Sequence, residues 1–200
     1  AFVNIGGVAN LTWIGWNGEL VAFDTGPGNA LLNDWCERHT DQPLDRDGAL
    51  AARGVLDSKA FMALAMNTYF EKPVPKSLDR NAFDVSCLEG LSPEDGAATL
   101  VHFTATSIAR GVGHLPERPA LYVICGGGRH NPVLMREVRG LREPLGEQVQ
   151  SAEQAGFDGD SMEAEAWGYL AVRSRRGLPL TFPGTTGVNQ PLTGGVLARP

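Results

Sequence analysis

The sequence has few cysteines, no long apolar run and only a modest excess of negative charge. Its three cysteines, Cys36, Cys87 and Cys125, are widely spaced without a C-x-x-C pair, which argues against a zinc or dithiol site and favours a reducing, cytoplasmic compartment. The four histidines lack metal-ligand spacing as well. No run approaches the roughly 20 apolar residues that span a bilayer. With a net charge of -6, we expect neither nucleic acid nor membrane as a partner.

The 200 residues are 42% hydrophobic and 20% charged, a composition typical of one globular domain with a real core. The first five residues, Ala1 to Ile5, have the pattern of a strand with no initiator Met before it. We therefore expect the natural protein to begin earlier.

Three short apolar runs at the start of the chain predict strands. They are Phe2 to Ile5, Leu11 to Ile14 and Leu20 to Phe23, and Asn17-Gly18 between the second and third is a strong hairpin signal. We predict three antiparallel strands here.

The segment Asp24-Thr25-Gly26-Pro27-Gly28-Asn29 should end the third strand, because Pro and Gly disrupt a strand's hydrogen bonds. Asn29 is a candidate N-cap for a helix that carries Leu31, Leu32 and Trp35. Asp24 is thereby predicted at a strand-to-helix junction.

The rest of the chain predicts alternating helices and a strand. Asp57, Ser92, Asn131 and Asp160 are candidate helix caps. A continuous apolar run from Ala120 to Cys125 predicts a buried strand that ends in Gly126-Gly127-Gly128. After Gly177 we expect a tail without regular structure. The predicted fold class is α/β, with a mixed sheet flanked by helices.

Two carboxylates are candidates for chemistry. Asp24, after a buried strand, could act as a general base in a crevice, or it could be a turn acid bonded to nearby amides. Glu163 falls at the capping-box position if Asp160 is the N-cap, so its presence has a structural explanation. The charged stretches Asp45 to Gly48 and Pro75 to Arg80 are expected in solvated loops.

Two glycine-rich turns could approach a phosphate or nucleotide closely. These are Gly6-Gly7 between strands and Gly126-Gly127-Gly128 after a strand, and either could equally be a tight turn. Neither has the spacing of a Rossmann or P-loop motif.

Taken together and in order, these motifs resemble those of the anhydro-N-acetylmuramic acid kinase family, which shares a superfamily with hexokinase, actin and the heat-shock chaperone ATPase domain. The resemblance covers nearly the whole chain. It rests on NIGGVANL from Asn4, FDTGPGN from Phe23, DRDG from Asp45, Pro75-Lys76-Ser77, CGGG from Cys125, Asn131 with Leu134-Met135, and Met162-Glu163.

The resemblance implies a ribonuclease H-like lobe of a two-lobe enzyme that binds ATP and Mg²⁺. Residues 1–200 would form the second, C-terminal lobe. The N-terminal lobe, with the family's phosphate loop, is absent, so we expect no turnover from this chain alone. The implied reaction opens 1,6-anhydro-N-acetylmuramic acid hydrolytically and phosphorylates its O6, giving N-acetylmuramic acid 6-phosphate in peptidoglycan recycling. A homodimer is expected by analogy.

The same resemblance implies roles for individual residues. Asp24 would be the catalytic carboxylate and Glu163 would line the sugar site. Gly6 and Gly7 would face the phosphates, and Gly126, Gly127 and Gly128 the adenosine.

Two other functions stay open from the sequence. One is a catalytically inactive actin-like module that binds nucleotide or sugar. The other is a glycoside hydrolase that uses Asp24 and Glu163 as its carboxylate pair.

Overall fold

The computed structural model of the protein describes residues 1–198. These residues form five strands and six α-helices. Their mixed α/β arrangement confirms the predicted fold class. The strands are β1 (Phe2–Ile5), β2 (Val8–Ile14), β3 (Leu20–Pro27), β4 (Leu121–Cys125) and β5 (Gln148–Ser151). The helices are α1 (Ala30–Thr40), α2 (Ser58–Ala65), α3 (Pro93–Gly111), α4 (Pro132–Arg142), α5 (Met162–Arg175) and α6 (Pro183–Thr186).

The five strands form one sheet in the order β3-β2-β1-β4-β5. The first three strands are antiparallel to one another, which confirms that prediction, and β4 and β5 run parallel to β1. This combination of order and direction is that of the ribonuclease H-like fold expected from the resemblance.

Alternating residues of β1 and β2 give the sheet two different faces. Val3, Ile5 and Leu11 are completely buried beneath the helices, whereas Asn4 and Asn10 point to the opposite side and keep solvent access. The buried side packs against α1 and α3 in one continuous core. We call the side with Val3, Ile5 and Leu11 the closed face and the side with Asn4 and Asn10 the open face.

Three of the predicted helix caps are confirmed. Asp57 accepts a hydrogen bond from the Ala60 amide, Ser92 from the Asp95 amide, and Asn131 from two amides of α4. Each satisfies N–H groups that the first helical turn leaves without partners.

Asn29 precedes α1 as predicted, but its side chain does not cap the helix. Instead the Gly6 carbonyl accepts from the Asn29 amide at 2.7 Å and the Gly7 carbonyl from the Ala30 amide at 3.1 Å. The side-chain nitrogen of Asn29 donates to the Ile5 carbonyl at 3.2 Å.

The expectation that β3 ends at Phe23 is wrong, because the strand continues through Pro27. Strand β3 lies at the edge of the sheet, where a Pro is tolerated since its missing N–H is not needed by a second neighbour. A register shift at Ala9/Asn10 of β2 absorbs the irregularity. Asp24 therefore lies inside a strand and not at its end.

Two predictions near the C-terminus are also wrong. The residue before α5 is Ser161, and Asp160 instead pairs with Arg129. The stretch after Gly177 contains a short helix, α6, which packs on β3.

No helix in the described part of the chain has the length and apolarity needed to cross a membrane.

Candidate functional site

Polar side chains form a row across the open face of the sheet. Asp24 is directly opposite Asn10 on the neighbouring strand, and Asn10 is directly opposite Asn4. Residues opposite each other in paired strands project to the same side. With strands about 4.8 Å apart, the backbones of Asp24 and Asn4 are separated by roughly 10 Å.

Asp24 is held by the segment Tyr69 to Leu78, which runs along the free edge of β3. The Leu78 amide donates to Asp24 Oδ2 at 2.7 Å, and the Asp24 amide donates to the Lys76 carbonyl at 3.0 Å. The Tyr69 hydroxyl donates to the Asp24 carbonyl at 2.6 Å. Among the described residues, no hydrogen bond engages Asp24 Oδ1, so this oxygen is available to a ligand.

Partial burial raises the pKa of the Asp24 carboxyl above its usual range, against the opposing effect of the Leu78 hydrogen bond. Burial, and next the Asp24 charge, likewise raise the pKa of Tyr69, which keeps its hydroxyl protonated as a donor. A carboxylate with a raised pKa is a better proton acceptor, which is what a general base requires.

A cavity of about 490 Å³ lies on the open face, between the strands and the start of α5. We call it the sheet-face cavity. Its lining includes side-chain amides, turn glycines and two carboxylates: Asn4, Asn10, Gly126, Gly127, Asp160 and Glu163. Glu163, at the exposed start of α5, is thus brought together with two of the predicted glycines.

Asp24 does not line the sheet-face cavity. Asp24 lies at the β3 end of the polar row. Its neighbour in that row, Asn10, does line the cavity. The structure therefore does not bring Asp24 and Glu163 into one cavity. This separation gives no support to a glycosidase that uses the two as its carboxylate pair.

A second cavity, of about 400 Å³, lies between α1 and the loop that contains Asp47. We call it the loop cavity. Asn29, Asn33 and Asn131 supply amide groups to its wall, and Gly127 lines both cavities. The two cavities therefore adjoin at the glycine turn after β4.

The glycines of this turn have different reasons to be glycine. Gly126 has a φ of +71°, and an added Cβ would lie 2.7 Å from the Ile5 carbonyl oxygen. Gly128 is buried against the Ile5 side chain, which a Cβ would overlap. Gly127 is exposed, and its nearest neighbour would be the Asn29 side-chain nitrogen at 3.8 Å. Open space around Gly127 leaves room for a ligand.

Gly6 and Gly7 line neither of these cavities. Their carbonyls instead bind the backbone that leads into α1.

A buried arginine links the glycine turn to the segment between β5 and α5. The Arg129 side chain is only 4% exposed, and it donates to the Gly126 carbonyl at 3.0 Å, to Glu153 at 2.7 Å and to Asp160 at 2.6 Å. The hydrogen bond from Arg129 is the main cause of the lowered pKa of Glu153, about 2. Sequence reasoning missed this residue, since nothing local marks it.

Most residues of the charged loops are exposed, as expected, and Asp45 and Lys76 are the two charged residues that depart from this. Asp45 is buried, and its carboxylate accepts from the Leu50 and Ala51 amides at 2.7 and 3.0 Å. Lys76 is half-buried and its ammonium binds backbone carbonyls. Both residues hold loops that border the site.

Within residues 1–198, no group of three or more His, Cys, Asp or Glu side chains is arranged to hold a metal ion.

Strand order and direction define a ribonuclease H-like fold. The carboxylate on the open face and the glycine turn between two cavities form a candidate ligand site on one sheet face. Residues 1–199 match the anhydro-N-acetylmuramic acid kinase family. The anhydro-N-acetylmuramic acid kinase of Rhizobium johnstonii is 54% identical over 199 residues, which cover 100% of this chain and 54% of that protein. The kinase of Rhodospirillum rubrum is 53% identical over 196 residues, 98% of this chain and 52% of that protein. The chain belongs to this family.

The chain spans about half the length of the curated relatives it matches. Among solved structures, the activator of the 2-hydroxyisocaproyl-CoA dehydratase from Clostridium difficile with bound ADPNP is similar over 75% of this chain and 52% of that chain, with 14% identity and a TM-score of 0.46.

Proposed function

We propose that this chain forms one lobe of an ATP-dependent sugar kinase that opens 1,6-anhydro-N-acetylmuramic acid and phosphorylates O6. The observation that carries the proposal is the Asp24 carboxylate. One oxygen is fixed by the Leu78 amide, the other is free, and partial burial raises the pKa of the group. The family membership of the chain supports the choice of substrate.

Asp24 would accept the proton of a water molecule that attacks the anomeric carbon, C1. As the new C1–O bond forms, the C1–O6 bond of the anhydro bridge breaks, and O6 leaves with its electron pair. O6 then attacks the γ-phosphorus of ATP, and ADP departs. The product is N-acetylmuramic acid 6-phosphate, and the proton on Asp24 returns to solvent.

The two adjoining cavities suit a sugar and a nucleotide. Glu163, Asn4 and Asn10 offer hydrogen-bonding groups to sugar hydroxyls in the sheet-face cavity. Gly127 and the asparagines of the loop cavity can approach an adenosine. Gly6 and Gly7 line neither cavity. In this proposal they contact the nucleotide only where their backbone approaches the phosphates.

Magnesium is proposed to enter with the ATP phosphates. Mg²⁺ commonly keeps several waters and uses few protein carboxylates, so the described residues need not form a metal cage. When bound, it neutralises the charge that develops on the transferring phosphoryl group.

The remaining half of the enzyme is proposed to be an N-terminal lobe with a phosphate loop, which closes over the open face. We further propose a cytoplasmic enzyme of peptidoglycan recycling that pairs as a homodimer.

A coupled ADP-release assay with the full-length gene product tests the proposal. ADP should appear only when 1,6-anhydro-N-acetylmuramic acid is present, and in ¹⁸O-labelled water the label should enter at C1 and not the phosphate ester. Ring opening without ATP would instead indicate a glycosidase. Nucleotide binding with no ADP release would indicate an inactive binding module.

The isolated 200-residue chain is expected to release no ADP under the same conditions. Phosphosugar formed by this chain alone would contradict the requirement for a second lobe.

A further inference from the structure

The segment from Tyr69 to Leu78 contacts Asp24 at three separate points. Tyr69 binds the Asp24 carbonyl, Lys76 accepts from the Asp24 amide, and Leu78 donates to the Asp24 carboxylate. Only the Leu78 contact touches the reacting group. The position of the Leu78 amide therefore decides how well Oδ2 is held.

Lys76 connects the two ends of this segment. Its ammonium donates to the carbonyls of Tyr69 and Phe70, each at 3.2 Å, and lies 3.2 Å from His114 Nε2. The same ammonium lies 4.8 Å from the centre of the Tyr69 ring. A charged donor that binds two carbonyls restrains the chain more strongly than a neutral one.

We propose that Lys76 is a positioning residue. Its ammonium binds the Tyr69 and Phe70 carbonyls and lies over the Tyr69 ring. It thereby fixes the segment whose Leu78 amide holds Asp24 Oδ2. Lys76 itself does not touch Asp24 through its side chain. It acts through the backbone, and it leaves Oδ1 free for the reaction. This inference deepens the proposed function and rests on Asp24 as its general base.

Several charged and ionisable groups surround the Lys76 ammonium. Burial lowers the pKa of Lys76, the nearby Glu71 opposes this change, and Arg110 and Lys72 reinforce it. His114 faces the ammonium from the segment after α3. Tyr69 is the ionisable group that faces Asp24.

The consequence is measurable at Asp24. A hydrogen bond from an amide stabilises the ionised carboxylate, so release of the Leu78 amide should raise the pKa of Asp24. Loss of one hydrogen bond to a charged group corresponds to an upward shift of roughly one pH unit.

Lys76→Met keeps the length of the side chain but removes its donors. In the full-length protein with ¹³C-labelled aspartate, we expect the carboxyl titration of Asp24, assigned with Asp24→Asn, to move upward by roughly one pH unit. The acidic limb of kcat/KM should move in the same direction. Lys72→Met is the matched control, because Lys72 is exposed and lies 5.6 Å from the Tyr69 ring centre without binding these carbonyls.

An unchanged Asp24 titration in Lys76→Met, or an equal shift in Lys72→Met, would overturn the proposal. Thermal unfolding followed by circular dichroism establishes that the variants fold. If Lys76→Met does not fold, Lys76→Gln replaces it, with a smaller upward shift expected and no shift as the contrary result. The titration needs no turnover, so it separates failure of this inference from failure of the kinase assignment.

Discussion

The two faces of the sheet are built from the same strands and differ in burial and polarity along β1, β2 and β3. On the closed face, Val3, Ile5 and Leu11 have no solvent access and pack against α1 and α3. On the open face, Asn4, Asn10 and Asp24 alternate with them and retain hydrogen-bonding groups toward solvent. Strand periodicity thus separates the residues that stabilise the lobe from those that can bind a ligand.

From this difference we expect the candidate site to be sensitive to the segment Tyr69 to Leu78 beside Asp24. The closed face is fixed by packing of many side chains, so its geometry does not depend on any one hydrogen bond. Within residues 1–198, the Leu78 amide is the one hydrogen-bond partner of the Asp24 carboxylate. We therefore expect substitutions on the two faces to separate stability from activity.

The largest effect on stability is expected from the closed face. Leu11→Ala removes a completely buried side chain from the core and should lower the free energy of unfolding by about 3 kcal/mol. Urea denaturation measures this change, and kcat per folded molecule should remain near that of the wild type. A stability close to that of the wild type would mean that the closed face is not the core.

The glycine turn sharpens the comparison, because adjacent residues should respond differently. Gly128→Ala overlaps the Ile5 side chain and should cost roughly 1–3 kcal/mol of stability. Gly127→Ala meets no close neighbour, and its unfolding free energy should change by less than about 0.5 kcal/mol. ATP titration should show weaker binding for Gly127→Ala, since its new methyl group points into space that both cavities share. A loss of stability in Gly127→Ala, with weaker ATP binding only in Gly128→Ala, would contradict these roles of the two glycines.

A smaller effect is expected from Asn10, which lies opposite Asp24 on the open face. Asn10→Ala should lower kcat/KM for the anhydro-sugar by about 10-fold, the equivalent of one hydrogen bond of about 1.4 kcal/mol. Its urea midpoint should stay unchanged, because Asn10 projects away from the core. Asn81→Ala, in an exposed loop, is the control for a neutral Asn substitution. Equal kinetics for both variants would exclude Asn10 from the site.

Much of the framework was predictable because it depends on local patterns. The Asn17-Gly18 turn, the caps at Asp57, Ser92 and Asn131, and the apolar run that forms β4 all act over a few residues. The Gly-Pro-Gly signal after Asp24 misled the prediction, since its effect depends on whether the strand is central or at an edge.

The missed features depend on contacts between distant segments. Arg129 reaches Asp160 across 31 residues, and Leu78 reaches Asp24 across 54. Strand β5 has four residues, Gln148–Ser151, of which only Val149 is fully buried, so no apolar run marked it. The sequence identified Asp24 as a candidate, but only the fold shows which amide holds it.

The most direct test of the account is Asp24→Asn in the full-length protein, measured for both rate and stability. Removal of the proposed general base should lower kcat by about 10³-fold or more. Because the folded protein raises the pKa of Asp24, its ionised form is disfavoured by folding at neutral pH. The amide variant should therefore be at least as stable as the wild type. A variant that retains its rate, or that loses rate and stability together, would contradict the account.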